Sequence, residues 1–414
     1  MTFTRRALIA AAAAAPAAAQ AASEPASALA ALPAKSAFAS MPYVYLDSGS
    51  THPMPLGARA ALEGYLRYKT RAADAPELDM GAKEQNVLAS FAKLVGATPD
   101  ELSIVQSTTM GENLILQALG YPAERGRIVT DALHFFGSFY TYGELKRAGA
   151  DVVTLRMTRD GAIDMDEMAA AVTAGTRLVA ISAVSTTNGF QHDLKRVCDI
   201  AHAHGAFVYV DLAHAAGTVP LDLRAAGVDF AATSSYKWLM GDFGLGFLYV
   251  RKEVLPKIKR PWWGYHQIGR FQSHVFPYDA PGDAVADYAA RPDATGVFAM
   301  GTTSWTGVVQ LDHTLPWIQS IGVDRIQAWR QPMIDAVQTE LRQRGYEPLT
   351  PLGTRTPLVA FALKDARAKL RDPLAKGAIR MTVAQNRFRV SVSVFNDMND
   401  IDRLLNVLPK APPA

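Results

Sequence analysis

The sequence predicts an α/β protein in which helices cover a mostly parallel β-sheet. Two observations support this fold class. Short apolar runs alternate with amphipathic stretches from Tyr43 onward, and reactive side chains follow directly after the apolar runs. Alternating strands and helices are typical of parallel sheets with helices on their faces. Ligands bind such sheets beyond the carboxyl ends of the strands, so the reactive side chains are expected there.

The bulk composition fits this class and excludes several others. The chain has 414 residues, of which 49% are hydrophobic and 20% are charged, and its formal net charge is +3. This length allows more than one domain. A nearly neutral chain has no general electrostatic reason to bind nucleic acid, and we expect neither that partner nor stable membrane insertion. The single cysteine, Cys198, excludes an internal disulfide and a thiolate metal site, and no metal site is expected.

The first forty residues are expected to lie outside the fold. Residues 1–21 contain Arg5 and Arg6, a weakly apolar alanine tract and an Ala-Gln-Ala cleavage motif, which together are typical of a twin-arginine signal peptide. An alanine-rich tail is the alternative interpretation. Residues 22–40 are rich in Ala, Ser and Pro and are predicted to form a linker. The signal predicts a periplasmic or secreted protein that is exported after folding, with any cofactor loaded in the cytoplasm.

Each apolar run predicts a buried strand, and several of them are rich in β-branched residues. The runs are 103–106, 127–130, 152–155, 178–184, 207–210 and 246–250. Helices are predicted between them, for example over 111–119 and 194–204. Residues 255–300 lack periodicity and predict a long irregular excursion. The chain becomes helical again after 311, and it ends with a strand at 387–394 and a helix at 400–408.

Three segments place chemically active side chains next to predicted strands. Asp211 follows the run 207–210, and a carboxylate buried there needs a cationic or hydrogen-bonding partner. Lys237 follows another apolar strand, and burial among aromatic side chains would lower its pKa and favour Schiff-base chemistry. Thr108 and Thr109 precede a helix, where hydroxyls and free amides bind anions. Each segment also has an ordinary interpretation, namely a helix N-cap for Asp211 and the threonines, and a surface position for Lys237.

Together these segments resemble the class V aminotransferase family of fold-type I pyridoxal-5′-phosphate (PLP) enzymes. The resemblance covers residues 43–408 and includes the Tyr-Leu-Asp-Ser-Gly motif at 45–49. The family includes cysteine desulfurases, kynureninases and isopenicillin N epimerase-like proteins. The resemblance implies a large domain with a mostly parallel seven-stranded sheet between helices, a smaller α+β C-terminal domain, and a homodimer with shared active sites. The implied boundaries are 41–60 for an N-terminal segment joining the small domain, 61–304 for the PLP-binding domain and 305–414 for the small domain.

The resemblance also implies a role for each matching position. Lys237 carries PLP as a Schiff base and shuttles a proton, Asp211 pairs with the ring nitrogen, and His134 stacks on the ring. Arg389 binds the substrate carboxylate, a task that suits a planar guanidinium, although a strand-edge surface charge is the alternative. The remaining cofactor-binding positions are Thr108, Thr109, Ser234 and Tyr236 for the phosphate, His214 near the phenolic oxygen, and Thr302, which reaches the phosphate from the neighbouring subunit.

The sequence departs from the family pattern at several positions. Thr186 stands where an asparagine is common, and Asn188 follows two residues later, so both remain candidates for the residue near the ring. Cysteine desulfurases carry a nucleophilic cysteine on a loop shortly before the carboxylate-binding arginine, and residues 377–388 contain none. From this absence the sequence predicts that the protein is not a cysteine desulfurase. The aromatic group Trp262, Trp263, Tyr265 and His266 is a candidate pocket lining, with core filling or dimer contact as the alternatives.

The resulting hypothesis is a PLP-dependent enzyme acting on an amino acid, with a class V aminotransferase preferred. The alternatives are an amino-acid epimerase, a lyase or a kynureninase-like hydrolase, and more remotely a non-catalytic PLP-fold binding protein. A nicotinamide oxidoreductase is disfavoured because no Gly-x-Gly-x-x-Gly follows the first strand. The glycines at 241–246 precede a strand instead of a helix.

Overall fold

The computed structural model describes residues 31–413, so the predicted signal peptide and residues 22–30 of the predicted linker lie outside the described residues. Within this range the strands are β1 (Val44–Leu46), β2 (Leu102–Val105), β3 (Arg127–Asp131), β4 (Val152–Leu155), β5 (Thr176–Ser182), β6 (Phe207–Asp211), β7 (Phe230–Ser234), β8 (Gly246–Val250), β9 (Ile268–Ser273), β10 (Ala286–Ala290), β11 (Glu347–Pro348), β12 (Leu358–Ala362), β13 (Ile379–Val383) and β14 (Arg387–Ser391). The α-helices are α1 (Leu56–Lys69), α2 (Met80–Val95), α3 (Thr108–Ala118), α4 (Phe136–Arg147), α5 (Met165–Ala171), α6 (Leu194–His202), α7 (Leu223–Ala226), α8 (Ala294–Phe298), α9 (Trp305–Ile321), α10 (Val323–Gln343), α11 (Ala366–Lys376) and α12 (Met398–Val407).

The larger sheet has seven strands in the order β2-β8-β7-β6-β5-β3-β4. Its strand pairs are parallel except those of β8, which runs antiparallel to both β2 and β7. The predicted mostly parallel α/β sheet is therefore confirmed. Both β7 and β8 are buried along their whole length, and burial on both faces explains why β8 is a continuous apolar run.

This topology brings the carboxyl ends of β2, β3, β5, β6 and β7 to one edge of the sheet, because these strands run in the same direction. The residues that follow those strands therefore meet, although they are far apart in the sequence. This edge is the expected ligand-binding side of a parallel α/β sheet.

The smaller sheet has the order β1-β13-β14-β12-β11 and packs against the last helices of the chain. The strand β1 comes from the N-terminal segment and pairs in parallel with β13. A second apolar core lies here, and α10, α11 and α12 contribute to it through Val337, Leu370 and Leu404, among others. The domain boundaries themselves remain a prediction.

The last residues of the predicted linker pack on the folded part of the chain. The amide of Ala34 donates to the carbonyl of Val394 at 2.8 Å. The ring of Phe38 is buried, with its centroid 4.9 Å from that of Phe395 and 6.0 Å from that of Trp317. Within residues 31–413, no helix combines the length and apolar character that crossing a membrane requires.

The prediction of an irregular excursion over 255–300 was wrong in part, because this region contains the antiparallel hairpin β9–β10. Most residues of both strands are exposed, so the hairpin has no buried face to impose an alternating apolar pattern. Its pairing depends on backbone hydrogen bonds, which leave no such signal in the sequence. Elsewhere the predicted strands lie within about two residues of the observed ones, apart from the strand at 387–394, which ends at Ser391.

Candidate active site

The centre of the candidate site is the amine of Lys237, three residues beyond β7. Its side chain is 8% exposed, and burial lowers the pKa of Lys237 to about 8, with Asp211 opposing this shift and Arg389 reinforcing it. Its Nζ atom lies 3.0 Å from Nε2 of His214 and 5.7 Å from the ring centroid of Tyr236. A buried lysine with a lowered pKa supplies a neutral, nucleophilic amine close to neutral pH.

An anion-binding cradle lies where the start of α3 meets the end of β7. The Ser234 hydroxyl accepts from the backbone N–H of Thr108 at 3.1 Å and lies 3.0 Å from the Thr108 hydroxyl. A helix N-terminus with free amides and hydroxyls favours a phosphate group. Thr109 lies on the exposed side of the same turn, and Tyr236 is half-buried and stacked on Phe243 at 4.3 Å.

A buried hydrogen-bond relay connects the helix α3 to Asp211. The His134 ring bonds through Nδ1 to the Ser182 hydroxyl at 2.9 Å and through Nε2 to Oε1 of Glu112 at 3.1 Å. The Ser182 hydroxyl lies in turn 3.5 Å from Oδ2 of Asp211. The relay therefore joins the carboxyl ends of three neighbouring strands, because Ser182 and Asp211 end β5 and β6 and His134 follows β3.

Glu112 is the charged end of this relay, and it was missed in the sequence. It accepts hydrogen bonds from the hydroxyls of Ser138 at 2.7 Å and Tyr142 at 2.6 Å, besides its contact with His134. Burial alone would raise the pKa of Glu112, but the hydrogen bond and charge of His134 hold it below its usual value. Burial would likewise lower the pKa of His134, but Glu112 raises it. Each member of the pair therefore favours the charged form of the other. Its sequence signal is the four-residue spacing from Thr108, which places both side chains on one face of α3.

Asp211 is buried and incompletely paired. Its Oδ1 atom accepts from the amide of Ala213 at 2.8 Å, whereas Oδ2 has only the long contact with Ser182. Burial raises the pKa of Asp211, and the charge of His134 opposes that shift. A cationic N–H group of a ligand would complete the pairing of this carboxylate.

Arg389 reaches the site from β14 of the smaller sheet and is not a surface charge. Its guanidinium donates to the carbonyl and hydroxyl of Thr186 at 2.8 and 3.0 Å, and to the hydroxyls of Ser50 and Thr382 at 3.1 and 3.0 Å. Oδ1 of Asp47 lies 3.8 Å away. Among the described residues Nε has no partner. Burial lowers the pKa of Arg389 to about 10. A negative ligand beside the guanidinium would favour its charged form.

The two candidates for the missing family asparagine have different positions. Thr186 lies against Arg389, as its two hydrogen bonds show. The Asn188 amide instead donates to the carbonyls of Gly161 at 2.7 Å and Leu349 at 2.9 Å, so it ties two loops together.

The structure leaves other predicted residues apart from the Lys237 cluster. Thr302 is exposed, and its hydroxyl lies 3.3 Å from the hydroxyl of Tyr265. Trp263 and Tyr265 are 85% and 60% exposed on the side of the β9–β10 hairpin, and the ring of His266 lies 4.3 Å from that of Tyr265. Trp262 packs against an apolar core cluster instead. The four aromatic residues therefore do not form one lining around Lys237.

Comparison with known proteins places this site in a family. The family model described as Aminotransferase class-V matches residues 44–404, a range that contains both sheets and every site residue described above. The chain belongs to the class V aminotransferase family. Pyridoxal 5′-phosphate is the cofactor of these enzymes, and the chain is a PLP-dependent class V enzyme with the fold-type I architecture.

The matched relatives of this class V enzyme are named for sulfur chemistry. A probable cysteine desulfurase of Methanothermobacter thermautotrophicus is 29% identical over 69% of each chain. Another, from Halalkalibacterium halodurans, is 26% identical over 89% of this chain and 93% of the relative. The sequence-based exclusion of cysteine desulfurases is contradicted by these matches, and so is the preference for an aminotransferase. The absence of a cysteine from residues 377–388 affects which group accepts the sulfur, and it does not exclude this class of enzyme.

Solved structures agree on the fold of this class V enzyme. A cysteine desulfurase from Escherichia coli has a TM-score of 0.77 at 21% identity, covering 91% of this chain and 97% of the other. A cystine C–S lyase in complex with its product, cysteine persulfide, has a TM-score of 0.75 at 19% identity, covering 88% and 97%. Another structure of that lyase, a mutant, contains glycine covalently linked to the PLP cofactor.

The described side chains fit PLP. The cradle of Thr108 and Ser234 would hold the phosphate, and Lys237 would hold the aldehyde carbon. The incompletely paired Oδ2 of Asp211 would accept a hydrogen bond from the protonated ring nitrogen of PLP. The Ser182 hydroxyl links Asp211 to His134. Arg389, whose Nε atom has no partner among the described residues, would bind the substrate carboxylate.

Proposed function

We propose that this protein is a PLP-dependent enzyme that cleaves the carbon–sulfur bond of L-cysteine. The observation that carries the proposal is the combination of the buried Lys237 amine with the buried Arg389 guanidinium, in a chain whose matched relatives are named cysteine desulfurases. The amine can accept the Cα proton of an α-amino acid, and the guanidinium can bind its carboxylate.

The residues of this chain have separate tasks in that reaction. Arg389 binds and orients the carboxylate, and its contacts with Thr186, Ser50 and Thr382 fix the plane of the guanidinium. The neutral amine of Lys237 accepts the proton from Cα. Bound PLP stabilises the negative charge that develops at Cα. The sulfur on Cβ can then leave with its bonding electrons.

The sulfur acceptor is not a cysteine of this chain. Cys198 lies on α6, is 1% exposed and is part of the main apolar core. Burial raises the pKa of the Cys198 thiol to about 12, so the thiolate that would attack sulfur is not formed near neutral pH. We infer that sulfur leaves as hydrogen sulfide. Cysteine and one water then yield pyruvate, ammonia and hydrogen sulfide, which balances all atoms without an oxidant.

The test is to incubate the PLP-loaded protein with L-cysteine and to measure sulfide and pyruvate together. We expect both in equal amounts, and neither with Lys237→Ala. L-alanine with a 2-oxo acid is the matched control for transamination. Conversion of L-alanine to pyruvate in that control, with no sulfide from L-cysteine, would contradict the proposal.

We propose that the enzyme is a homodimer in which Thr302 serves the partner's site. The exposed position of Thr302, whose hydroxyl contacts that of Tyr265, supports this arrangement. Light scattering should give twice the chain mass, and Thr302→Ala should weaken PLP binding. A monomer with unchanged PLP affinity in Thr302→Ala would contradict it.

We further propose export through the twin-arginine signal at residues 1–21. A fusion of this segment to a reporter that requires folded export should reach the periplasm, and Arg5→Lys with Arg6→Lys should block it. Export of the doubly substituted fusion at the same level would contradict the proposal.

A further inference from the structure

Trp238, the residue after Lys237, is buried and begins a hydrogen-bonded series that ends at the lysine amine. Its indole N–H donates to Nδ1 of His214 at 3.2 Å. Nε2 of the same imidazole lies 3.0 Å from Nζ of Lys237. An indole N–H only donates, so Nδ1 of His214 is the acceptor and carries no proton.

This contact determines which proton the imidazole carries. A neutral histidine has one N–H, and with Nδ1 acting as acceptor that N–H is on Nε2. The Nε2–H group is then directed at Nζ of Lys237, and a hydrogen bond forms only if Nζ has a lone pair to accept it. An ammonium group has three donors and no acceptor, whereas a neutral amine has a lone pair. We propose that Trp238 is a positioning residue that fixes His214 as an Nε2–H donor and thereby holds the free Lys237 amine in its neutral form.

His214 stays neutral in this environment. Burial lowers its pKa well below the usual value, and the charges of Lys237 and Arg389 add to the effect. His52 is the other histidine beside Trp238, with ring centroids 6.3 Å apart. Burial lowers the pKa of His52 to about 4, and its Nε2 atom is 2.6 Å from the hydroxyl of Ser393. Neither imidazole brings a positive charge next to the tryptophan.

Other groups also face the lysine, and the tryptophan acts in addition to them. From β6 the carboxylate of Asp211 favours the ammonium form, and from β14 the guanidinium of Arg389 disfavours it. The ring of Tyr236 lies beside Nζ. Replacing the indole by a phenyl ring leaves all three in place, so the effect of Trp238 through His214 can be measured separately.

The neutral amine is needed both to bond to a carbonyl carbon and to accept a proton from Cα. Without the indole N–H, the Nδ1–H tautomer of His214 becomes available, and Nε2 can then accept a hydrogen bond from an ammonium group. The Lys237 pKa would rise. The inference goes beyond the proposed reaction, since it holds for any amino-acid substrate.

The experiment measures the lysine itself in the PLP-free protein. Reductive methylation with formaldehyde and cyanoborohydride, followed by peptide mass spectrometry, gives the labelling of Lys237 against pH. The midpoint for the unaltered protein is expected at about 8. We expect Trp238→Phe to raise it by about one pH unit, with a roughly tenfold loss of labelling at neutral pH. Trp329→Phe is the matched control because it loses an indole bond to the Asn396 carbonyl at 3.2 Å, away from the lysine, and it should not move the midpoint.

A second variant tests the route through the imidazole. In a His214→Gln background, Trp238→Phe should add no further shift, because the two residues act as one unit. An unshifted midpoint in folded Trp238→Phe, or an equal shift in the His214→Gln background, would overturn the proposal. Nitrogen-15 NMR of the unaltered protein is independent of how the variants fold. It should show Nε2–H and a bare Nδ1 for His214, and an Nδ1–H signal would overturn the proposal.

Discussion

At the scale of single residues, the Glu112–His134 pair puts a buried charge pair under the candidate cofactor site. The carboxylate is fully hydrogen-bonded by His134, Ser138 and Tyr142, which is the condition under which a buried ion pair is tolerated. The His134 ring in turn bonds to Ser182, next to Asp211. The pair therefore fixes the orientation of the relay that ends at Asp211, the residue that would pair with the ring nitrogen of PLP.

We predict that Glu112→Gln lowers the free energy of unfolding by about 1–3 kcal/mol near pH 6. The raised pKa of His134 means that its contribution to stability is complete below its ordinary pKa of 6.5 and is lost as pH rises through its folded-state pKa. The lowered pKa of Glu112 means that its contribution to stability is present above its ordinary pKa of 4.5 and is lost as pH falls through its folded-state pKa. Urea unfolding at a series of pH values from pH 5 upward measures the difference, which should shrink as pH rises through the folded-state pKa of His134. Glu63→Gln, in an exposed pair with Arg59, is the control. A difference that stays constant across this range would argue against the charge pair.

We predict that Arg389→Lys lowers kcat/KM for L-cysteine by roughly thirtyfold, mainly by raising KM. The ammonium group of lysine is a point charge and cannot orient a carboxylate as a planar guanidinium does. The absorbance of bound PLP should be unchanged. Arg380→Lys, at an exposed position of β13, is the control and should leave the kinetics as they are. Loss of PLP binding in Arg389→Lys, with KM unchanged, would assign Arg389 a different role.

The sequence identified residues at or shortly after the ends of buried strands, such as Asp211 and Lys237, because a strand end is visible as the end of an apolar run. It did not identify Glu112, Ser182 or Trp238 as their partners. These contacts join segments that are distant in the chain, and each partner is an ordinary helix, strand or loop residue on its own. Their roles depend on the register of the sheet, which the sequence alone does not give.

At the scale of elements, the close contact between α3 and β7 places the phosphate cradle. A Cβ added at Gly111 would lie 2.6 Å from the Cβ of Ala232, so the absence of a side chain there lets the helix approach the strand. The helix N-terminus thereby reaches Ser234 at the end of β7.

We predict that Gly111→Ala destabilises the protein by about 1–3 kcal/mol and weakens PLP binding, since α3 must move away from β7. Gly143→Ala, in α4 with no atom within 4 Å of the added Cβ, is the matched control. That change should stabilise the protein by about 0.5–1 kcal/mol. Thermal unfolding and PLP titration of both variants provide the measurement, and equal effects of the two would refute the packing argument.

Elements with a buried face were predictable, and the exposed hairpin was not. The strands of the large sheet are apolar because helices cover both faces, so their positions follow from composition alone. The strands β9 and β10 have no such constraint. The boundaries of β5 differ from the predicted run because pairing with β3 and β6 sets them.

At the scale of the whole molecule, two sheets supply complementary halves of one site. The larger sheet positions Lys237 and Asp211, and the smaller sheet supplies Arg389. Cys198 lies in the main apolar core beside the larger sheet and is not among the residues of the candidate site. In the proposed reaction, the breaking of the carbon–sulfur bond is therefore separate from any transfer of sulfur to this thiol.

We predict that Cys198→Ala releases sulfide from L-cysteine at a rate within about twofold of the unaltered protein. A buried free cysteine behaves as a small apolar residue, so the change should cost only about 1 kcal/mol of stability. Sulfide release and PLP absorbance are measured on the same preparation. Loss of sulfide release with PLP binding retained would show that the thiol takes part in the reaction.

The most direct test of the central claim is to locate PLP on the chain. The purified protein is reduced with borohydride, digested, and analysed by mass spectrometry, with Lys237→Ala in parallel. We expect an absorbance band near the visible edge that Lys237→Ala lacks, and a pyridoxyl label on the peptide that contains Lys237. A label on another lysine, or an unchanged band in Lys237→Ala, would contradict the assignment of the site.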